Sequence, residues 1–523
     1  ARSGRRSPSL IVLECRVERH SSTIEPGWGP GSAIAACRVT RFDGPLLEPT
    51  ATLVDILAAL DNKEISSTEL LDAALARIER LDGPVNAVVT LAEDRARAEA
   101  AAIDAARATG EPVGGLAGVP ITIKDALATE GIRSTGGATE LAHHVPHVDA
   151  EAVARVRADG AIVFGKTNLP RWSGDVQTHN ALFGRTSNPW NLDRTPGGSS
   201  GGAAAAVAMG FTPFEIGTDI GGSVRNPASN CGVYGHKPSF GVIPTHGYLD
   251  HALYHRSQAD VNVVGPFARS IGDLELLFEL LSGPSDDDAA GWRLDLPPAR
   301  ATDLGGFRVV AWLDDELCPV EAEVADVFDR MCGQLEAAGA VIDHEKRPAF
   351  DPLEESGRGL VLIGSATEIS DGDAEWNAKA DAELVLSHRA WDLERRRRDM
   401  IRVRWAEFFE DVDIVLCPVA PVAAVPHRDT GIAENHWSSP MPGHEHRPYI
   451  DLVRWTALTG SAYLPATVPP VGRTDAGLPV GVQVVAPYLH DRTALAFARA
   501  MSDVVGGYDP PPLAVDGQEV PES

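Results

Sequence analysis

The segment Gly197-Gly198-Ser199-Ser200-Gly201-Gly202, followed at once by the small-residue run Ala203 to Ala208, constrains this chain more than any other stretch. Four glycines in six residues permit backbone conformations and close approaches that a Cβ forbids. Taken alone, the segment reads as a flexible linker, a phosphate-cradling loop or a catalytic turn. It does not fit the P-loop pattern, because no Gly-Lys-Ser/Thr follows. A second glycine-rich turn, Gly217-Thr218-Asp219-Ile220-Gly221-Gly222-Ser223-Val224-Arg225, follows an apolar strand-like stretch, Phe214 to Ile216. Its backbone N–H groups could bind an oxyanion, although a tight turn with a capping serine is the plainer alternative. A third element, Gly118 to Asp125, sets Lys124 at the end of an apolar strand. The chain has only six lysines (Lys63, Lys124, Lys166, Lys237, Lys346 and Lys379). Lysine, unlike arginine, can lose its proton when buried.

Together these three segments resemble the amidase signature family, whose pattern is a strand-end lysine, then GGSSGG, then G-x-D-x-GGS-x-R-x-P-A. Ser199 and Ser223 are 24 residues apart, similar to the family's bridging and nucleophilic serines. Gly165-Lys166-Thr167-Asn168, Asn188-Pro189-Trp190-Asn191, Gly235-His236-Lys237-Pro238, Gly265 to Ser270 and Gly477 to Gln483 resemble its accessory segments. The likeness runs from roughly Thr50 to Met501. Arg171 stands where many members carry an acidic residue, and Ser239 where threonine is common.

The resemblance implies one large α/β domain, a mixed β-sheet core covered by α-helices in the amidase signature fold. It implies Ser223 as nucleophile, Lys124 as base and Ser199 as the bridge between them, with a cis peptide bond before Ser199. Ile220, Gly221, Gly222 and Ser223 would form the oxyanion hole, supported by Ser200, Asp219 and Arg225. The implied reaction is hydrolysis of amide or anilide carbon–nitrogen bonds through an acyl-enzyme, with esters as further substrates. It needs no metal and no organic cofactor. Carbamate hydrolases and the glutamine-hydrolysing subunit of a tRNA-dependent amidotransferase share the same core. A catalytically inactive binding protein is the alternative of another class, and retention of Lys124, Ser199 and Ser223 together argues against it.

Periodicity adds the frame. Leu53, Ile56, Leu57 and Leu60 recur at helical spacing, Ser66 with Glu69 reads as a capping box, and the alanine-rich stretch from Asp94 to Ala108 reads as a third helix. Strands alternate with helices from Val119 onward. The domain is expected over 49–505, with a catalytic core at about 115–270 and a helical insertion at about 351–410. An N-terminal extension (1–48) and an irregular Pro-rich tail (506–523) flank it.

The formal net charge of −28 repels a phosphate backbone. The basic run Arg395, Arg396, Arg397 and Arg398 reads as a solvated helix face. The expected partner is thus a small-molecule amide or carbamate, with no nucleic acid and no membrane; a homodimer is allowed. Six scattered cysteines without a CxxC pair read as reduced core thiols, and a cytoplasmic protein is the default. His143, His144 and His147 with Asp149, or His444 and His446 with Glu445, could be drawn as metal sites but lack helical HExxH-type spacing. Trp172, Gln177, Phe183 and Trp455 are guesses for the substrate pocket.

Overall fold

The computed structural model describes residues 50–249, 257–316, 318–366, 386–428, 436–438 and 446–516. Two capping boxes open the fold. Thr52 and Asp55 start the helix Leu53–Asp61, and Ser66 and Glu69 start Ser67–Val85; in each, side chain and backbone satisfy one another's orphan groups. The alanine-rich helix follows as Glu93–Thr109 and ends at Gly110 in the left-handed conformation.

Among the described residues nine strands form the main sheet. Val341–Asp343, Arg308–Ala311 and Ile414–Pro418 run parallel at one end. Pro479–Val485, Ala466–Val468, Tyr234–Lys237, Val263–Ala268 and Phe214–Asp219 continue it antiparallel, and Pro470–Arg473 pairs beside Pro479–Val485. The sheet is therefore mixed, and helices such as Ala322–Ala337 and Asp491–Val505 turn apolar residues inward. A smaller sheet holds Val88–Leu91, Ile162–Thr167 and Pro120–Lys124.

Side chains stitch the two sheets together. Glu215, fully buried on Phe214–Asp219, accepts the Lys124 N–H at 3.2 Å and the Thr167 hydroxyl at 2.7 Å. The Thr122 N–H reaches the Thr212 hydroxyl at 3.3 Å. The lysine-bearing strand is thus fixed against the strand that leads to Ser223.

The small-residue run becomes the helix Gly201–Ala208, buried along its whole length. A Cβ at Gly202 would lie 2.5 Å from the backbone nitrogen and oxygen of Asn168, so close packing demands these glycines.

Two expectations are revised. Arg395, Arg396 and Arg397 lie on the outer face of the helix His388–Phe408, but Arg398 is buried, with its Nη1 2.6 Å from Asp260 Oδ2. The run is a solvated face at three positions only, because one helical turn also points a residue inward. The C-terminal tail is not irregular throughout: Pro512–Asp516 is a short helix, held where Arg77 Nη2 donates to the Ala514 carbonyl at 2.6 Å. The cysteines Cys231, Cys318, Cys332 and Cys417 are buried free thiols. The N-terminal extension, Cys15, Cys37, His444 and Glu445 lie outside the described residues. Among the described residues no helix is long and apolar enough to cross a membrane.

Candidate active site

Lys124 ends the wholly buried strand Pro120–Lys124 and carries its amine into the protein interior. Nζ donates to Ser199 Oγ at 2.7 Å and to Thr218 Oγ1 at 2.8 Å. Burial pushes its pKa down to about 7, while the negative charges of Asp219 and Glu215 oppose that fall. An amine so placed shuttles between neutral and charged forms near neutral pH.

Ser199 is buried and follows a cis Gly198–Ser199 peptide bond. Gly198 is enclosed by backbone: a Cβ there would sit 2.6 Å from the Gln177 carbonyl oxygen and 2.7 Å from that of Asp175. Ser200 joins the two glycine-rich segments. Its N–H donates to the Ser223 carbonyl at 3.3 Å, and its hydroxyl donates to the Thr218 carbonyl at 3.3 Å.

Ser223 stands just before the helix Arg225–Cys231, at 8% exposure, with Ile220 and Gly221 half-buried beside it. Asp219 organises this turn. Its carboxylate accepts N–H groups of Gly222 at 2.8 Å and Val224 at 3.0 Å, and takes Nε and Nη2 of Arg225 at 3.0 and 2.8 Å. Burial alone would raise the Asp219 pKa, but the Arg225 guanidinium holds it down at about 2. Arg225 Nη1 reaches the Thr456 carbonyl, Thr459 Oγ1 and Gln483 Oε1, so one buried ion pair ties the turn to two distant segments.

One expected oxyanion donor is corrected by this network. The Gly222 N–H is occupied by Asp219, which needs it to fix the turn, leaving Ile220, Gly221 and Ser223 as candidates.

The pocket guesses fall in different places. Gln177 is buried beside Gly198, its Oε1 accepting the Arg428 N–H at 2.9 Å, and Trp172 packs over Gly136. Phe183 lies under the Arg133 guanidinium, 5.1 Å from its ring centroid. Trp455 is a core residue, its ring edge-on to Trp312 and its indole N–H donating to the Cys318 carbonyl at 3.1 Å. Thr218, Glu215, Thr456 and Ile363 were not singled out from sequence. Thr218 and Glu215 lie on the strand Phe214–Asp219 that leads into the Ser223 turn; Thr456 and Ile363 reach the site through tertiary packing alone. Ile363, on the helix Pro352–Ala366, has its Cδ1 3.4 Å from where a Gly221 Cβ would be.

Among the described residues no group of His, Cys, Asp and Glu is placed to hold a metal ion. Asp149, drawn beside the histidines, is paired instead with Arg157 Nη1 at 2.7 Å.

The chain matches the family described as Amidase over residues 69–495. A glutamyl-tRNA(Gln) amidotransferase subunit of Synechococcus sp. (strain CC9902) is 33% identical over 479 residues, 84% of this chain and 93% of that protein. Among solved structures, a bacterial aryl acylamidase of the amidase signature family has a TM-score of 0.75 at 29% identity, covering 87% of this chain and 96% of that one. The corresponding glutamyl-tRNA(Gln) amidotransferase subunit of Thermotoga maritima has a TM-score of 0.71 at 26% identity, covering 88% and 98%.

Proposed function

This chain belongs to the amidase family, and from that premise we propose that it hydrolyses carbon–nitrogen bonds of small non-peptide amides and anilides through Ser223, Ser199 and Lys124. The observation that carries the reading is the buried Lys124 amine, held on the Ser199 hydroxyl at 2.7 Å with its pKa lowered to about 7. At pH 7 an ordinary lysine is neutral in well under about 1% of molecules; burial lowers the Lys124 pKa and so favours the neutral amine that a base requires.

Ser223 Oγ attacks the substrate carbonyl carbon as its proton passes to Ser199 Oγ and the Ser199 proton passes to Lys124 Nζ. The N–H groups of Ile220, Gly221 and Ser223 receive the oxyanion. Losing one such donor typically costs about 3 kcal/mol of barrier. The proton returns along the same path to the leaving nitrogen, the C–N bond breaks, and an acyl-enzyme remains on Ser223. Water then attacks with Lys124 again taking a proton through Ser199, and the carboxylic acid leaves. Aryl carbamates fit the same steps, as do esters.

A second reading, as the glutamine-hydrolysing component of a tRNA-dependent amidotransferase, is favoured by the 33% identity with the Synechococcus protein. The formal net charge of −28, which repels a phosphate backbone, weighs against tRNA-linked work and for a free-standing hydrolase.

Wild type, Ser223→Ala and Lys124→Ala are to be compared on a panel of anilide, primary amide, ester, aryl carbamate and glutamine, with covalent labelling by a fluorophosphonate. Turnover of anilide or amide, lost in both variants, supports the proposal; preference for glutamine favours the second reading. A wild type that neither turns over the panel nor takes label at Ser223 leaves a binding role.

A further inference from the structure

The turn before Ser223 contains Gly221-Gly222, the dipeptide with the greatest backbone freedom. Fixing each such residue in one conformation costs roughly 1–2 kcal/mol, so something must hold it. The peptide unit joining the two is gripped at both ends. Its N–H, from Gly222, donates to Asp219 Oδ1 at 2.8 Å, and its carbonyl, from Gly221, accepts the Thr456 hydroxyl at 2.7 Å. Thr456 lies on the helix Asp451–Gly460, more than two hundred residues along the chain. Its own carbonyl takes Arg225 Nη1 at 2.7 Å, and Arg225 Nη2 returns to Asp219 Oδ1. The hydrogen bonds therefore close a ring: Asp219, Gly222, Gly221, Thr456, Arg225 and back to Asp219.

The fit is close as well as bonded. Gly222 has φ +123°, and a Cβ there would lie 2.6 Å from Thr456 Oγ1. The hydroxyl has a single proton and two acceptors, Gly221 at 2.7 Å and the helix carbonyl of Val453 at 3.0 Å. The shorter contact is to the turn. The peptides on either side of the gripped unit carry the N–H groups of Gly221 and Ser223.

We propose that Thr456 is a positioning residue for the oxyanion turn: its hydroxyl, acting on the Gly221 carbonyl, sets the orientation of the flanking N–H groups before substrate arrives. The inference rests on Ser223 being the nucleophile. Preorganised donors stabilise the developing oxyanion because no reorganisation is needed at the moment of reaction.

The test compares Thr456→Val, which keeps the shape and loses the hydroxyl, with Thr456→Ser, which keeps the hydroxyl and loses the methyl. Expected for the valine variant is a fall in kcat of roughly tenfold or more, with KM little changed and an equal fall in the rate of fluorophosphonate labelling. The serine variant stays within about threefold of wild type. A merely structural role would make the loss follow the melting temperature rather than the hydroxyl. Should the valine variant not fold, Thr456→Ala against Thr456→Ser reads the hydroxyl alone. Wild-type kcat and labelling in a folded valine or alanine variant, or equal damage in the serine variant, overturns the inference. Absence of label from the wild type, or label retained by Ser223→Ala, instead overturns the catalytic assignment on which it rests.

Discussion

Lys124 Nζ lies 2.7 Å from Ser199 Oγ, and its second hydrogen bond, at 2.8 Å, goes to another neutral hydroxyl, that of Thr218. Two hydroxyls offset the loss of water around an ammonium poorly, so burial dominates and the pKa falls to about 7. In the proposed mechanism the base is the deprotonated amine. Activity should therefore rise with pH: kcat/KM is expected to climb about tenfold per unit below pH 7 and to level off above it. Lys124→Arg, which stays charged, should lose about 10³-fold or more. A pH–rate profile of wild type, flat from pH 5 to 9, would exclude Lys124 as the base.

Glu215 sits on the strand beside Lys124, and its negative charge favours the ammonium form. Buried among Lys166, Thr167 and Thr122, its own carboxyl is pushed up to about 7. Glu215→Gln keeps an acceptor for the Lys124 N–H and removes the charge. The Lys124 ammonium then loses support, so the acid limb of the pH profile should move to lower pH, by up to about one unit. A limb that moves upward, or stays in place with the fold intact, would show that Glu215 only joins the two sheets.

Gly198 has no room for a methyl group. The Gln177 and Asp175 carbonyl oxygens and the Val176 carbonyl carbon would all lie within 2.7 Å of it, and as backbone atoms they cannot swing away. Gly198→Ala should destabilise by about 3 kcal/mol and abolish turnover. Gly83→Ala is the control, since nothing lies within 4 Å of its Cβ. Near the end of its helix, alanine should be neutral or stabilising by up to about 1 kcal/mol. Thermal melts and residual activity of the two variants make the comparison.

What was legible in the sequence was local chemistry. The turn carrying Ser223, the helix that begins after Ser200 and the strand that ends in Lys124 each need residues that no ordinary packing position calls for. Capping boxes at Thr52 and Ser66 were equally readable, because both partners lie within four residues. Contacts that close over hundreds of residues were not. Thr456 and Ile363 look like ordinary helix residues until the helices pack on the Ser223 turn, and Trp455, a plausible pocket aromatic by type, faces the core one residue away. The Gly222 N–H was assigned to the oxyanion because the motif cannot tell which way a peptide faces, and Asp219 takes it.

Arg398 shows the same limit within a run of four arginines. Its neighbours on the outer face pair with acidic residues of the same helix, as Arg396 does with Asp392 and Arg397 with Glu394. Arg398 instead places Nη1 2.6 Å from Asp260 Oδ2, while its guanidinium lies 4.4 Å from the centroid of the Tyr463 ring. Tyr463 in turn donates its hydroxyl to Asp260 Oδ1 at 2.5 Å and stacks on Phe240. The helix His388–Phe408 is thereby pinned to the segment that follows the glycine-rich turns. Removing Asp260 takes the 2.6 Å partner from the buried Arg398 guanidinium and leaves it the Asp399 carboxylate, 4.0 Å from its Nε. Asp260→Ala should accordingly cost about 3 kcal/mol, and Arg398→Leu combined with Asp260→Ala should recover part of that loss, since the buried guanidinium goes with its close partner. Arg396→Ala, whose side chain is in solvent, should leave the unfolding midpoint where it is. Guanidinium chloride melts of the four variants, including Arg398→Leu alone, give the coupling directly. Independent, additive effects at 398 and 260 would mean that Tyr463 and the ring contacts hold this helix without the ion pair.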